Sequence, residues 1–269
     1  MTHPPDLPAR AAITAPVLWR CIDFISDQHL QASQHATFDA WQRYMAHTEA
    51  DALFILGDLF EVWVGDDITQ ATDDPEGAFA LQCQKVIQTT AARLPVYFMH
   101  GNRDFLLGED FAKNGGLSLL PDPTVLSFDG QRWLLSHGDA LCLGDVDYQQ
   151  FRQQVRSDAW RCAFLAKPLA ERQAVAHGLR AQSEARKTSG ASYADVDTAM
   201  ALRWLKTAQA NTLIHGHTHH PADHTLGQLN DKPLRRLVLS DWDADAKPPR
   251  LEVLRLQTGS APERFTPTT

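Results

Sequence analysis

Seven side chains able to hold a metal are spread along this 269-residue chain: Asp27, His29, Asp58, Asn102, His137, His217 and His219. Carboxylate, amide and imidazole donors without a thiolate suit borderline or hard divalent ions such as manganese, iron or zinc. They are too many for one tetrahedral site with an open position. They are about right for two ions that share a carboxylate bridge and each keep room for water or substrate. Such a centre clamps the attacking and leaving oxygens of a displacement at phosphorus and acidifies a water between the ions. Singly, the signals differ in weight. Asp27-Gln28-His29 is a pattern that occurs by chance, and a lone Asp after Gly57 is a common turn former. The run His215-Gly216-His217-Thr218-His219 weighs more, because it begins inside an apolar segment where a solvated histidine tract has no place.

Each group follows a short apolar run. Residues 17–25 (VLWRCIDFI) lead into Ser26, Asp27 and His29; 52–56 (ALFIL) into Gly57 and Asp58; 96–99 (VYFM) into His100, Gly101, Asn102 and Arg103. Residues 132–135 (RWLL) lead into Ser136, His137 and Asp139, and 212–214 (TLI) into His215, His217 and His219. Short apolar runs bounded by glycine and polar residues read as buried strands. Between the first three lie helical periodicities, Phe38, Trp41, Tyr44 and Met45 on one face and Phe79, Cys83, Val86 and Ile87 on another. Asp129-Gly130 predicts a hairpin joining 124–128 to 131–135, and 234–239 and 250–256 read as late strands. Strand–helix alternation predicts an α/β fold. If the strands share a sheet, their polar ends gather at one edge, where α/β proteins build sites.

Composition narrows the partners. With 33 acidic residues against 25 basic ones the net charge is −8, which argues against sequence-blind nucleic-acid binding. Four cysteines without CxxC spacing signal neither a zinc ribbon nor a disulfide framework, and reduced, mostly buried thiols are expected. No stretch approaches the roughly 18 apolar residues of a spanning helix. Residues 1–16 carry four prolines and no apolar signal-like core, and read as a disordered tail, as do 257–269. The domain between, 17–256, contains a segment at about 145–190 that turns helical, with Tyr148, Phe151 and Val155 on one face. Over 151–190 eight basic residues face three acidic ones, a net of +5 on a body that is otherwise −13. A basic helical insertion on an acidic body suggests a cap that meets something anionic; a solvated helix pair explains the charge equally well.

The ordered set D-x-H, GD-x-x-E, GNRD, HGD and GHTH, each at its own strand end, resembles the calcineurin-like metallophosphoesterase superfamily. That resemblance implies a four-layered αββα sandwich with a dinuclear site. Asp27, His29, Asp58 and His219 would hold one metal, and Asp58, Asn102, His137 and His217 the other, with Asp58 as the bridge. Longer stretches, GDLFEVWVGDD from Gly57, HGNRDFLLG from His100, SHGDALC from Ser136 and IHGHTHHP from Ile214, resemble the UDP-2,3-diacylglucosamine pyrophosphohydrolases in particular. The resemblance covers nearly the whole of 17–256 and includes the cap. It implies manganese-dependent hydrolysis of the diphosphate of UDP-2,3-diacylglucosamine to UMP and lipid X, in lipid A biosynthesis. It also implies a cytoplasmic enzyme held peripherally on the inner membrane.

Position 103 supports a diphosphate substrate on physical grounds. Where many phosphoesterases of the superfamily carry a histidine able to protonate a departing alcohol, this chain has Arg103, which cannot act as a general acid. It can stabilise charge on phosphoryl oxygens, and a phosphate leaving group needs little protonation. An ion pair with Asp104 or Asp66 is the plainer role for the same arginine. Asp58, Asn102, Arg103 and His137 are the expected catalytic residues. Asn102, Arg103, Asp145, Ser183, Lys187 and His217 are the substrate contacts the resemblance implies. Near the end, Ser240-Asp241-Trp242-Asp243 departs from the family's Gly-Ala-Trp-His-like stretch, and the residues after Ser183 depart from its lysine spacing. Another nucleotide-sugar or phosphodiester hydrolase is the alternative reading. A non-catalytic scaffold would be expected to lack a ligand, and none is missing.

Overall fold

The computed structural model describes residues 11–188 and 194–267, with the backbone alone described for 182–188. Along the chain run β1 (Ala11–Thr14), β2 (Cys21–Ile25), α1 (His35–His47), β3 (Ala52–Ile55), α2 (Pro75–Ala91), β4 (Val96–Met99), α3 (Glu109–Gly115) and β5 (Ser118–Leu120). Then come β6 (Thr124–Phe128), β7 (Gln131–Leu135), α4 (Val146–Val155), α5 (Asp158–Leu165), α6 (Leu169–Thr188) and α7 (Thr198–Ala208). Strands β8 (Thr212–His215), β9 (Ala222–Leu229), β10 (Lys232–Val238), β11 (Val253–Gln257) and β12 (Glu263–Phe265) complete the chain.

Two six-stranded sheets form, in the orders β12-β11-β2-β3-β4-β5 and β1-β6-β7-β8-β10-β9. Period-2 alternation sorts their side chains. In β3, Ala52 and Phe54 point between the sheets while Leu53 and Ile55 point to the helices outside. Ile22, Phe24, Phe54, Leu126, Leu135 and Ile214 fill the space between the sheets. The buried faces of α1, α2 and α3 cover the first sheet, and Met200, Trp204 and Leu205 of α7 cover the second. The result is the expected αββα sandwich.

The structure differs from the expectation in three places. The site strands do not share one sheet: β2, β3 and β4 belong to the first and β7 and β8 to the second. Residues 11–14 and 263–265, read as parts of tails, are strands: β1 pairs with β6, and β12 with β11. Ile13 packs against the inter-sheet core and Arg255 sits 4.6 Å above the Phe265 ring, contacts that segments of three or four residues do not advertise. The first site strand starts at Cys21 rather than residue 17, since Val17 and Leu18 lie exposed in a turn closed by Trp19 N–H donating to Pro16 O.

The helical insertion is tied to the body by its arginines. Arg172, nearly fully buried, donates to Val64 O and Lys167 O (3.0 Å) and pairs with the Asp67 carboxylate. Arg180 pairs with Glu61 at 3.3 Å and donates to Gln31 Oε1 at 2.8 Å. Arg152 and Arg156 both reach Asp139, at 2.7 and 3.2 Å. Much of the positive charge of the cap is therefore spent on the body rather than presented outward.

Candidate metal centre and active-site cavity

The five strand ends converge on one edge of the sandwich and bring all seven expected donors together in two groups. Asp27, His29 and His219 form one, and Asp58, His137 and His217, with Asn102 against them, the other; within each, the carboxylate and imidazole donor atoms lie within 4.8 Å of one another. In the first, His29 Nε2 is 3.2 Å from His219 Nε2 and 3.9 Å from Asp27 Oδ1, and His219 Nε2 is 3.3 Å from Asp27 Oδ1. In the second, Asn102 Oδ1 is 3.1 Å from His137 Nε2 and 2.8 Å from His217 Nδ1. Asp58 lies between them, Oδ2 at 3.8 Å from His29 Nε2 and Oδ1 at 3.7 Å from His137 Nε2. One carboxylate facing both groups is the geometry a bridge requires.

The outer nitrogens fix the inner ones. His137 Nδ1 lies 2.8 Å from Leu56 O, a carbonyl that can only accept, so Nδ1 carries a proton there and Nε2 is the nitrogen left to face the centre. His29 Nδ1 lies 2.7 Å from Glu61 Oε2, which orients that ring in the same way. Asp241 Oδ2 stands 3.8 Å behind His219 Nδ1, held by Arg250 at 2.9 Å. Backing a metal-ligating imidazole with a carboxylate or carbonyl is the usual means of setting its tautomer.

Backbone strain is concentrated here. Asp27, His29, Asp58, His217 and His219 have φ of 58°, 47°, 52°, 67° and 55°, a left-handed region that non-glycine residues avoid. The chain leaves each strand by turning sharply back, which points the donor inward. Two glycines make room for it. A Cβ on Gly101 would lie 2.0 Å from Asp58 Oδ1, and one on Gly216 would lie 2.2 Å from Asp27 Oδ2.

The electrostatics favour cations. Asp27, Asp58 and His137 are almost completely buried. Burial works against charge on His137, but the carboxylates of Asp58 and Asp27 outweigh it and push its pKa up to about 9. Burial also opposes charge on Asp27, yet the hydrogen bond and charge of His219, with His137 and His29 beyond, hold it well below the usual carboxylate range. Burial and the neighbouring His137 push His217 down to about 4. Buried carboxylates that attract protons onto adjacent imidazoles offer a field that divalent ions can satisfy. The donor set and its arrangement thus fit two such ions.

The other expected residues are placed as follows. Arg103 pairs with neither Asp104 nor Asp66: Asp104 accepts from Leu59, Phe60 and Gly101 backbone N–H, and Asp66 from Trp63, Gly108 and Phe111. Its guanidinium lies 3.6 Å from Glu61, and its backbone N–H donates to Asp58 Oδ1 at 2.8 Å. Asp145 caps α4 by accepting from Tyr148 N–H and lines the same cavity as the donors. Ser183 and Lys187 lie in the last turns of α6, where their side chains fall outside the described residues. Glu61 and Asp241, which orient two of the histidines, have no role legible in the sequence. The GD-x-x-E spacing holds Glu61 and the stretch Ser240-Asp241-Trp242-Asp243 holds Asp241, but neither says which histidine its carboxylate backs.

Above the donors opens a cavity of about 1130 Å³. At its floor are His29, Asp58, Asn102, Arg103 and His217. Its apolar arm is lined by Val62, Phe105 and Leu106 of the body and by Trp160, Phe164 and Leu179 of the cap.

Residues 22–221 match the calcineurin-like phosphoesterase family. The chain is 44% identical over 222 residues to a UDP-2,3-diacylglucosamine hydrolase of Aeromonas hydrophila subsp. hydrophila, covering 81% of this chain and 89% of that one. It is 48% identical over 231 residues to one from Chromobacterium violaceum, covering 82% and 90%. With one from Escherichia coli it shares 41% over 225 residues, covering 82% and 91%. A matched family across most of the sandwich, and relatives this similar along nearly their whole length, assign the chain to the calcineurin-like phosphoesterases and, within them, to the UDP-2,3-diacylglucosamine hydrolase family.

Proposed function

We propose that this protein hydrolyses the diphosphate bond of UDP-2,3-diacylglucosamine, giving UMP and 2,3-diacylglucosamine 1-phosphate (lipid X), a step of lipid A biosynthesis. The observation that carries this reading is the cavity, which joins a cation-seeking floor to an apolar arm. A phosphate-bearing amphiphile matches both ends; a bare nucleotide or a nucleic acid leaves the arm empty. The names of the relatives point to the same substrate.

Asp27, His29, Asp58 and His219 would hold one divalent ion and Asp58, Asn102, His137 and His217 the other, with manganese the proposed metal. Bound there, the pair supplies an acidified water and positive charge at the phosphoryl oxygens. The chain's own residues do the remaining work. Arg103, oriented by Glu61 from one side, carries a permanent charge to the diphosphate and meets negative charge as it builds there. Asn102, Asp145 and His217 line the cavity and orient the head group, with Ser183 and Lys187 proposed as further contacts from the resemblance alone. The apolar arm holds the acyl chains and excludes water from them.

No helix among the described residues is long and apolar enough to cross a membrane. Peripheral attachment to the cytoplasmic face of the inner membrane is supported by apolar side chains exposed on the cap, Val146, Phe151, Leu165, Val175 and Leu179, which are 38 to 58% exposed. Phe151 and Leu179 also border the cavity. Because Arg152, Arg156, Arg172 and Arg180 turn to the body, attachment rests more on these apolar groups than on that charge. The test is turnover with manganese on UDP-2,3-diacylglucosamine beside UDP-glucosamine and a simple phosphodiester. Preference for the diacyl substrate supports the reading; equal specificity constants leave a general nucleotide-sugar hydrolase.

A further inference from the structure

Asp139, the last residue of the HGD motif, is fully buried and has no role in the chemistry above. One of its oxygens, Oδ2, collects three donors from the cap: Tyr148 Oη at 2.7 Å, Arg152 Nε at 2.7 Å and Arg156 Nη2 at 3.2 Å. Its backbone carbonyl accepts from Gln149 at 2.7 Å. Those donors do not stop at Asp139. The same Arg156 Nη2 donates to Gly101 O at 2.8 Å, next to Asn102. The Tyr148 ring stacks on His217, with centroids 6.0 Å apart and planes at 27°. Asp139 itself lies two residues beyond His137. Helix α4 and Arg156 at its end thus touch all three loops that bring Asn102, His137 and His217 to the second donor group; among the described residues α4 makes no such contact to Asp27, His29 or His219, and the cap reaches the first group only from α6, where Arg180 pairs with Glu61 behind His29.

We propose that Asp139 is a positioning residue which, with Tyr148 and Arg156, makes the first helix of the cap a structural part of the second metal site, and not of the first. Asn102 and His137 lie in loops outside any helix or strand, and His217 sits in left-handed backbone at φ 67°, so no regular structure holds these donors. A buried carboxylate that gathers two guanidiniums and a phenol locks them from behind, as outer-shell groups commonly do. The inference rests on the two-ion reading and concerns only which residues keep the second ion in place.

The experiment is manganese binding by chelator-stripped protein, followed by calorimetry and by the electron paramagnetic resonance signal of coupled manganese pairs, with steady-state kinetics alongside. The native protein should bind two ions. Asp139→Asn, which keeps the size of the side chain and removes its charge, should bind the first ion with native affinity and the second 10- to 100-fold more weakly. Its coupled-pair signal should fade at sub-saturating metal. At sub-saturating metal kcat should fall by a similar factor while KM stays within about threefold, and excess manganese should restore much of kcat. Arg156→Lys, which keeps a charge for Asp139 and loses the second contact to Gly101 O, should give a milder form of the same pattern and serves if Asp139→Asn does not fold. Two ions bound with native affinity in both variants would overturn the proposal. A native protein that binds fewer than two ions would instead overturn the two-ion reading on which it rests.

Discussion

The expected metal donors could be picked out from sequence because so few residue types can hold a divalent ion. Asp27, His29, Asp58, Asn102, His137, His217 and His219 are brought to one place, with Asp58 between the groups. Glu61, Asp241 and Asp139 stand in stretches the sequence marks, but no role could be read for them because each acts through another side chain that only the fold brings to it. Two predictions belong at this scale. Asp58→Asn or His137→Ala should lower turnover by several orders of magnitude and leave the circular dichroism spectrum native, because a bridge or a donor is lost from both Lewis-acid and nucleophile roles. Arg103→Ala should lower kcat more than it raises KM, and Arg103→His should not restore diphosphate cleavage. Full rescue by histidine would mean that proton donation, and not fixed charge, is required.

Buried histidines outside the donor set give a pH dependence of stability. His100 donates from Nε2 to Leu107 O at 2.6 Å, and burial pushes its pKa down from 6.5 to about 4. Burial likewise pushes His215 down to about 3. As the pH falls below 6.5 these groups take up protons in the unfolded chain while remaining neutral in the folded one. For these two groups the unfolded state then binds more protons, so their contribution to stability declines as the pH drops from 6.5 toward 4, while Asp104, pushed up to about 7 by burial and the Asp58 charge, acts in the opposite sense. Denaturant unfolding of the metal-free protein and of His100→Gln at several pH values isolates the histidine's share: the variant should lose less stability than the native protein as the pH falls. An unchanged slope in that variant would remove His100 from the account.

Among the elements, strands that run into polar donors were plain in the sequence because burial on both faces demands a continuous apolar run. Strand β9 was not. Its alternating polar residues, ADHTLGQL, lie at the edge of a sheet and owe their pairing to β10 through the turn at Asn230 and Asp231. Nor does local periodicity say that β2 and β7 belong to different sheets, since register across long separations is decided by packing. The cap was visible as a change of period and charge, but the charge had a different use from the one expected. Arg172 is its anchor, and Arg172→Ala should lower stability by about 2 kcal/mol through lost charge-assisted hydrogen bonds to Val64 O and Asp67. Denaturant titration measures this; a change within experimental error would mean the cap is held by its apolar contacts alone.

At the scale of the whole molecule, a net charge of −8 spread over a sandwich with an inward-facing basic cap leaves substrate recruitment to the cavity and to the apolar cap surface. Each methylene buried from an acyl chain contributes about 0.8 kcal/mol, so a filled arm would dominate affinity. If the lipid lies in that arm and water attacks the phosphorus on the uridine side, oxygen from labelled water should appear in UMP. Label in the lipid phosphate would mean that the substrate lies the other way round.

The proposed function has two divalent ions on these seven donors cleaving the diphosphate of a diacylated UDP-sugar. Its most direct test is turnover of UDP-2,3-diacylglucosamine by chelator-stripped protein, before and after manganese is titrated in, with both products identified. The account predicts negligible turnover when stripped, and activity that rises to a plateau at two ions per chain with UMP and the diacylated sugar phosphate released in equal amounts. Undiminished cleavage by the stripped protein, or no cleavage of this substrate with both ions bound, would contradict it.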